Sequence, residues 1–239
     1  MHASLQPSQS TDLFPDLPTL LDTIRSAAAQ TAGDRQTFRI HGSGSHDFYG
    51  ESLEGELLET RGLNGISQYE PSELVVTVGA GTPLHELETA LSEQGQCLAF
   101  EPPHFQASAG NKPHGQATVG GMVAAGLSGP ARASAGAVRD FVLGLRFING
   151  RGEHLTFGGQ VMKNVAGYDV SRLLAGSWGT LGLITEVSLK VLPMAPAEAF
   201  LMCALPQANK QDLRRASLGI VFDPATGIQW QGLATPLVQ

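Results

Sequence analysis

The stretch Gln116-Ala-Thr-Val-Gly-Gly-Met-Val-Ala-Ala-Gly-Leu-Ser-Gly-Pro130, continued by residues 131–140, decides how the rest of the chain is read. From Gln116 to Pro130 it carries no charge and four glycines, and small residues stand where a packed segment normally has large ones. Such a run brings its backbone against a bulky ligand or against another segment of backbone. Thr118 is placed to cap a short helix begun at Val119, which would present the N–H groups of Gly120 and Gly121 at its positive end. Met122, Val123 and Leu127 would then face inward.

Upstream, Leu98-Ala-Phe-Glu-Pro-Pro103 reads as a short strand ended by two prolines, followed by a polar loop with His104, Asn111, Lys112 and His114. Before it, Leu74-Val-Val-Thr-Val78 is a buried strand by its β-branched run. Thr82-Pro83 opens a helix with Thr82 as N-cap and Pro83 in its first position. Leu84, Leu87 and Leu91 form its inner stripe, and Gly95 ends it. The first helix is expected from Asp16, with Leu17, Leu20, Leu21, Ile24 and Ala28 at helical spacing and Gly33 as its stop. Residues 1–14 are polar and expected to be mobile.

Between these elements, the strand Gln36-Thr-Phe-Arg-Ile40 runs directly into His41-Gly-Ser-Gly-Ser-His-Asp47. Alternating glycine and serine after a strand lets several backbone N–H groups converge, and the hydroxyls add donors; together they suit a pyrophosphate. Position 47 is not glycine, so the dinucleotide G-x-G-x-x-G spacing is missing, and no Gly-Lys-Ser/Thr follows. The competing reading is a glycine-rich hairpin turn.

Downstream, Phe141 to Ile148 is a strand, Asn149-Gly150 begins a tight turn, and Glu153 to Phe157 returns as the hairpin partner. Gly158-Gly159 and Lys163-Asn-Val-Ala-Gly-Tyr-Asp169 form a loop, and Asp169 can cap a short helix through Leu173-Leu174. Thr180 to Leu192 is a long strand, with Val187, Leu189 and Val191 on one face and Glu186, Ser188 and Lys190 on the other. Strands interleaved with short helices define an α+β fold.

The bulk numbers narrow the function classes. The chain of 239 residues can bury a real core as one large or two modest domains. Glycine stands at 29 residues, well above the roughly 7% of average usage. A net charge of -7 with no lysine/arginine stripe leaves no footprint for nucleic acid. No apolar window reaches the roughly 18 residues of a membrane span, and no secretory signal opens the chain. Cys97 and Cys203, distant from each other, read as reduced thiols in a cytosolic chain. His41, His46, His104 and His114 match no compact metal-ligand spacing, and Ser171 and Ser177 have no His/Asp partners that would make a hydrolase. Lys163 and Arg139 are open to two readings, as counter-charges to an anion or as solvated loop charges.

Strand-then-His41-Gly-Ser-Gly-Ser45, Ala117-Thr-Val-Gly-Gly121, Ala135-Gly-Ala-Val-Arg-Asp140 and Gly176-Ser-Trp-Gly-Thr-Leu-Gly-Leu-Ile-Thr185 occur in that order. Together they resemble the FAD-binding domain of the vanillyl-alcohol-oxidase/p-cresol-methylhydroxylase (PCMH) type, over residues 15–196. Lys163-Asn-Val-Ala-Gly-Tyr-Asp-Val-Ser-Arg-Leu173 narrows the resemblance to the FAD-binding subunits of bacterial glycolate oxidases. The resemblance implies a two-lobed domain, lobes about 15–110 and 111–196, with noncovalent FAD between them. Gly42, Ser43, Gly44, Ser45 and His46 would hold the pyrophosphate; Pro102, Thr118, Gly120, Gly121 and Gly126 would line the extended cofactor. Gly136 and Ala137, with Gly182, Ile184 and Thr185, would approach the ribityl chain, adenine side or flavin ring. Where relatives often have a tyrosine before the glycine of the third motif, Ala135 stands here. The 43 residues from 197 to 239 would be the remnant of a truncated C-terminal cap, with a strand at Ala199–Leu205 and a polar helix at Ala208–Arg215. The substrate pocket and catalytic base would then lie on another polypeptide. The implied function is oxidation of glycolate or another small 2-hydroxy acid within a complex, electrons leaving to a non-nicotinamide acceptor. The implied partners are a larger flavoprotein subunit and an iron–sulfur subunit, in the cytoplasm or peripheral at the inner membrane. The alternatives are a non-catalytic structural or electron-relay subunit and a self-sufficient flavin oxidase.

Overall fold

A computed structural model describes residues 14–31, 36–49, 54–105, 108–109, 112–113, 116–159, 169–196, 217–223 and 227–233. The chain divides into two compact units, Met1–Met194 and Ala195–Gln239.

In the first unit, helix α1 (Leu17–Ala28) opens with Pro18, whose ring presets a helical φ. Its buried stripe keeps Leu17, Leu20 and Ile24 of the expected positions, but Ala27 takes the inner place expected for Ala28, and Leu21 and Ala28 are only half-buried. The helix ends at Ala28, ahead of the expected stop at Gly33, which lies outside the described residues. The Arg25 Nε donates to the Gly152 carbonyl at 3.0 Å. Strands β1 (Phe38–His41) and β2 (Glu56–Glu59) pair in parallel, His41 opposite Glu59.

The main sheet has five antiparallel strands in the order β3-β4-β10-β8-β9. These are β3 (Ile66–Glu70), β4 (Val75–Gly79), β8 (Val142–Ile148), β9 (His154–Gly158) and β10 (Leu183–Lys190). Helix α2 (Leu84–Ser92) follows β4, and short β5 (Gln96–Cys97) pairs with β11 (Leu192–Pro193). Ser108–Ala109 and Lys112–Pro113 form the two-residue strands β6 and β7. Next come α3 (Val119–Ala125), α4 (Arg132–Ala135), α5 (Val138–Phe141) and, after β9, α6 (Val170–Leu174). Both expected lobe stretches supply strands to this sheet. β3 and β4 come from 15–110, whereas β8, β9 and β10 come from 111–196.

One face of the sheet carries the larger apolar core: Val76, Val78, Val187 and Leu189 pack with Leu84, Leu87, Leu91, Met122 and Val123. A second cluster gathers Phe14, Leu17, Leu20, Leu58, Leu63, Ile148 and Leu183. Glu186 and Ser188 are buried as well, so both faces of β10 are covered. Glu186 is reconciled to burial by Arg146 at 3.2 Å and the Ser67 hydroxyl at 2.5 Å, and Ser188 by Thr77 at 2.9 Å.

Two capping expectations separate here. Asp169 caps α6, accepting the Arg172 N–H at 3.1 Å. Thr82 does not cap α2: the N-cap is Pro83, and the Thr82 hydroxyl instead accepts the Gly65 N–H at 2.9 Å. A tertiary partner outcompeted the local one. The predicted strand at 98–103 is also shifted, to Gln96–Cys97, because Leu192 and Pro193 supply its ladder.

In the second unit, β12 (Ser217–Asp223) and β13 (Gly227–Leu233) form an antiparallel hairpin beyond the strand and helix expected for this region. The expected cap elements at 199–205 and 208–215 lie outside the described residues. No helix among the described residues is long and apolar enough to cross a membrane.

Candidate functional site

The loop after β1 forms one wall of a cleft. His41 to Asp47 line it, facing Thr118, Gly120, Gly121 and Ala124 of α3 and its cap, and Trp178, Gly179, Gly182 and Ile184. Ten of the fifteen predicted site residues meet here: Gly42, Ser43, Gly44, Ser45, His46, Thr118, Gly120, Gly121, Gly182 and Ile184.

Among the described residues, the backbone N–H groups of Ser43, Gly44, Ser45 and His46 donate to no protein acceptor. Gly44 has φ +73, which a glycine adopts without strain and which turns successive donors towards one side. The Nε2 of His46 and the Nδ1 of His41 are buried without a hydrogen-bond partner. His46 Nδ1 lies 3.1 Å from the Ser45 hydroxyl, and Phe105 and Trp178 meet its ring edge-on at 5.5 and 5.9 Å. Burial pushes the His46 imidazole below its ordinary value, against the opposing pull of Asp47. Below the loop, burial pushes Glu59 up, but hydrogen bonds and charge from Arg61, with a smaller contribution from His41, outweigh it and leave the carboxyl below its usual range. Among the described residues, no lysine or arginine lines the cleft, and backbone donors are the groups it offers to an anion.

The opposite wall differs from expectation. Thr118 caps α3 as predicted, accepting the Gly121 N–H at 3.2 Å. The first-turn N–H groups are nevertheless not presented to the cleft. Val119 donates to Thr82 at 2.9 Å and Gly120 to Ala80 at 2.7 Å. The glycines serve close approach instead: a Cβ on Gly120 would lie 2.7 Å from the Ala80 Cβ, and one on Gly121 would lie 3.1 Å from the Thr118 hydroxyl. This wall is a smooth floor.

The remaining five predicted residues lie outside the cleft lining. Gly126 is the left-handed cap of α3 and packs on Gly176. Gly136 and Ala137 form a turn whose Ala137 N–H is taken by Asp140 at 2.9 Å. The Thr185 hydroxyl bonds His154 at 2.9 Å. Pro102 borders a separate hollow with Glu88, Glu101 and His104. Arg139 is exposed, and Lys163 lies outside the described residues.

A model of the FAD binding domain family matches residues 17–158. The chain belongs to that family. FAD is therefore its cofactor, and the cleft fits the phosphate-bearing part of it. The N–H groups from Ser43 to His46 and the buried His46 Nε2 offer complementary donors to an anion, whereas His41 lies between the carboxylates of Glu59 and Asp47 at 3.6 and 3.7 Å. The volume of about 140 Å³ is below the roughly 300–1,000 Å³ of complete small-molecule pockets. The glycolate oxidase subunit GlcE of Escherichia coli (strain K12) is 52% identical over 164 residues, 69% of this chain and 45% of that protein. The D-2-hydroxyglutarate dehydrogenase of Xanthomonas citri pv. viticola is 34% identical over 64% of this chain and 30% of its own length. The glycolate oxidase subunit GlcD of Bacillus subtilis (strain 168) is 31% identical over 58% of this chain and 28% of its own. The chain thus spans under half the length of the curated relatives it matches.

Sequence reasoning missed part of this FAD domain's cleft. Ala80 and Thr60 enter it through long-range pairing, Thr60 donating its N–H to the His41 carbonyl at 2.9 Å. Trp178 lines the cleft as well, and its glycine neighbours at 176 and 179 are the signal in the sequence.

Proposed function

We propose that this chain is the FAD-binding subunit of a complex that oxidises glycolate or another small 2-hydroxy acid. The observation that carries the site assignment is the row of free N–H groups from Ser43 to His46, opposite a glycine floor in an FAD-family domain. Gly42 to His46 hold the pyrophosphate noncovalently, and Gly120, Gly121, Gly182 and Ile184 keep the path beside it clear of side chains. Pro102, Gly126, Gly136, Ala137 and Thr185 support the cradle from outside the cleft. Residues 15–110 and 111–196 carry the two sides between which the cofactor lies. When bound, FAD supplies the two-electron acceptor for the hydroxy acid, with onward transfer to an acceptor other than a nicotinamide.

The likeness to the E. coli glycolate oxidase subunit supports glycolate as substrate and other subunits of such an oxidase as partners; we assign those places to a larger flavoprotein subunit and an iron–sulfur subunit. The hydroxy-acid dehydrogenases among the relatives support the wider substrate class. The complex is placed in the cytoplasm, meeting the inner membrane peripherally. The substrate pocket and the catalytic base are assigned to another subunit of the complex.

Two measurements test this reading. Purified full chain should carry FAD absorbance, and its neighbours in the genome should encode partners that copurify with it and confer glycolate-dependent dye reduction. A chain that binds no FAD would sink the cofactor site. Glycolate-dependent bleaching of flavin by the chain alone would overturn the need for a complex.

A further inference from the structure

Three non-glycine residues among those described have positive φ: Leu74, Glu101 and Trp178. Two have structural explanations. Leu74 closes the 3-10 turn Pro71–Glu73, and the Glu101 carboxylate accepts the Ala131 N–H at 2.9 Å. Trp178, at φ +53, is a bulky residue in a conformation that favours glycine. Its backbone is locked there by its N–H, which donates to the Ala124 carbonyl at 2.8 Å, and by glycines at 176 and 179 with φ +86 and +75. A glycine at 178 would satisfy the same turn without strain, so the turn alone does not account for the indole.

The ring borders the cleft. Tyr49 stacks on it at 4.9 Å with planes 10° apart, and His46 meets it edge-on at 5.9 Å. Although one face is backed by Tyr49, Trp178 remains 46% exposed. Strain held at the rim of a binding site by surrounding hydrogen bonds is the expected signature of a ligand-facing residue.

We propose that Trp178 is a stacking wall of the cleft: its exposed indole surface takes a planar aromatic ring of the dinucleotide, with Tyr49 stiffening it. This inference rests on the FAD reading and adds a ring-binding residue to a site otherwise built from backbone donors. Stacking of a base on an aromatic side chain supports an effect of about tenfold on affinity.

The test measures dissociation constants of FAD and ADP for the wild-type full chain, Trp178→Asn and Trp178→Phe. Asparagine accepts left-handed backbone, so the turn survives while the ring is lost; phenylalanine keeps a ring. Trp178→Asn should bind FAD about tenfold more weakly, and Trp178→Phe should retain most of the affinity. An equal loss for ADP puts the adenine on the wall; a loss confined to FAD puts the isoalloxazine there. FAD bound equally well by Trp178→Asn and wild type overturns the wall and leaves the FAD reading intact. A wild-type chain that binds ADP in a Trp178-dependent way but not FAD keeps the wall and overturns the FAD reading. A wild-type chain that binds neither overturns both.

Discussion

The two glycine-rich walls of the cleft have similar composition and opposite chemistry. In the loop after β1 the backbone donors from Ser43 to His46 meet no acceptor among the described residues, and the glycine at 44 exists to turn them. At the start of α3, the Thr118 hydroxyl and the carbonyls of Ala80 and Thr82 have already taken the donors, and the glycines at 120 and 121 exist to let backbone approach. Glycine density alone therefore does not mark a phosphate site. What separates the two is where the N–H groups go.

Substitutions sharpen that contrast. The largest stability effect belongs to Gly120→Val, whose side chain would be driven into Ala80. Overpacking there should destabilise the fold by about 3 kcal/mol, a fall of roughly 6–12 °C in thermal midpoint on calorimetry. A wild-type midpoint would mean that the floor is not packed. Gly44→Val tests the other wall, since its φ of +73 strains a branched residue. Distorting the donor row should weaken FAD binding by about 100-fold, the loss of roughly two charge-assisted bonds, with a smaller change in melting than Gly120→Val. If Gly44→Val keeps stoichiometric FAD after gel filtration, the loop is not the phosphate clamp.

Smaller effects follow the cap and the histidines. Thr118→Ala should lose about 1 kcal/mol in denaturant unfolding, and Thr118→Ser should recover most of it. His46 and His154 are both held below the ordinary histidine value, by burial first and, for His154, also by Arg146. The unfolded chain thus binds protons more readily. Their contribution is present above about pH 6.5 and declines as pH falls through the depressed folded values. The FAD-free protein should melt lower at pH 5.5 than at 7.5, and His154→Gln should shrink the difference. With FAD the sign reverses at His46. A nearby phosphate favours the imidazolium, so affinity should tighten modestly from pH 7.5 to 6, a slope that His46→Ala removes.

Much of the scaffold was legible in the residues. The leucine stripes of α1 and α2, the capping by Thr118 and Asp169, and the β8–β9 hairpin all follow from periodicity or turn chemistry. Asn149 Oδ1 accepts the N–H groups of Arg151 and Glu153 at 2.9 and 3.0 Å, which is why that turn was readable. The donor loop was readable for the same reason, because its geometry is local. What escaped depends on distant partners. The engaged N–H groups of α3 need Ala80 and Thr82, brought over by the bridge between Pro83 and Thr118. The displaced cap at Thr82 needs Gly65, and the strand at Gln96–Cys97 needs Leu192 and Pro193.

The sheet order has a consequence for assembly. β10 is late in the chain yet sits between β4 and β8, and Trp178, Gly179 and Gly182 just before it, with Ile184 among its first paired residues, complete the cleft. The phosphate loop leaves the ribosome early, but its counterpart arrives only after the chain has closed a long loop, at an entropic cost that precedes any pairing reward. A nascent chain halted before β10 would hold half a cradle and a central strand with an open edge. Flavin incorporation in this protein can therefore act as a report that synthesis has run past the last sheet strand.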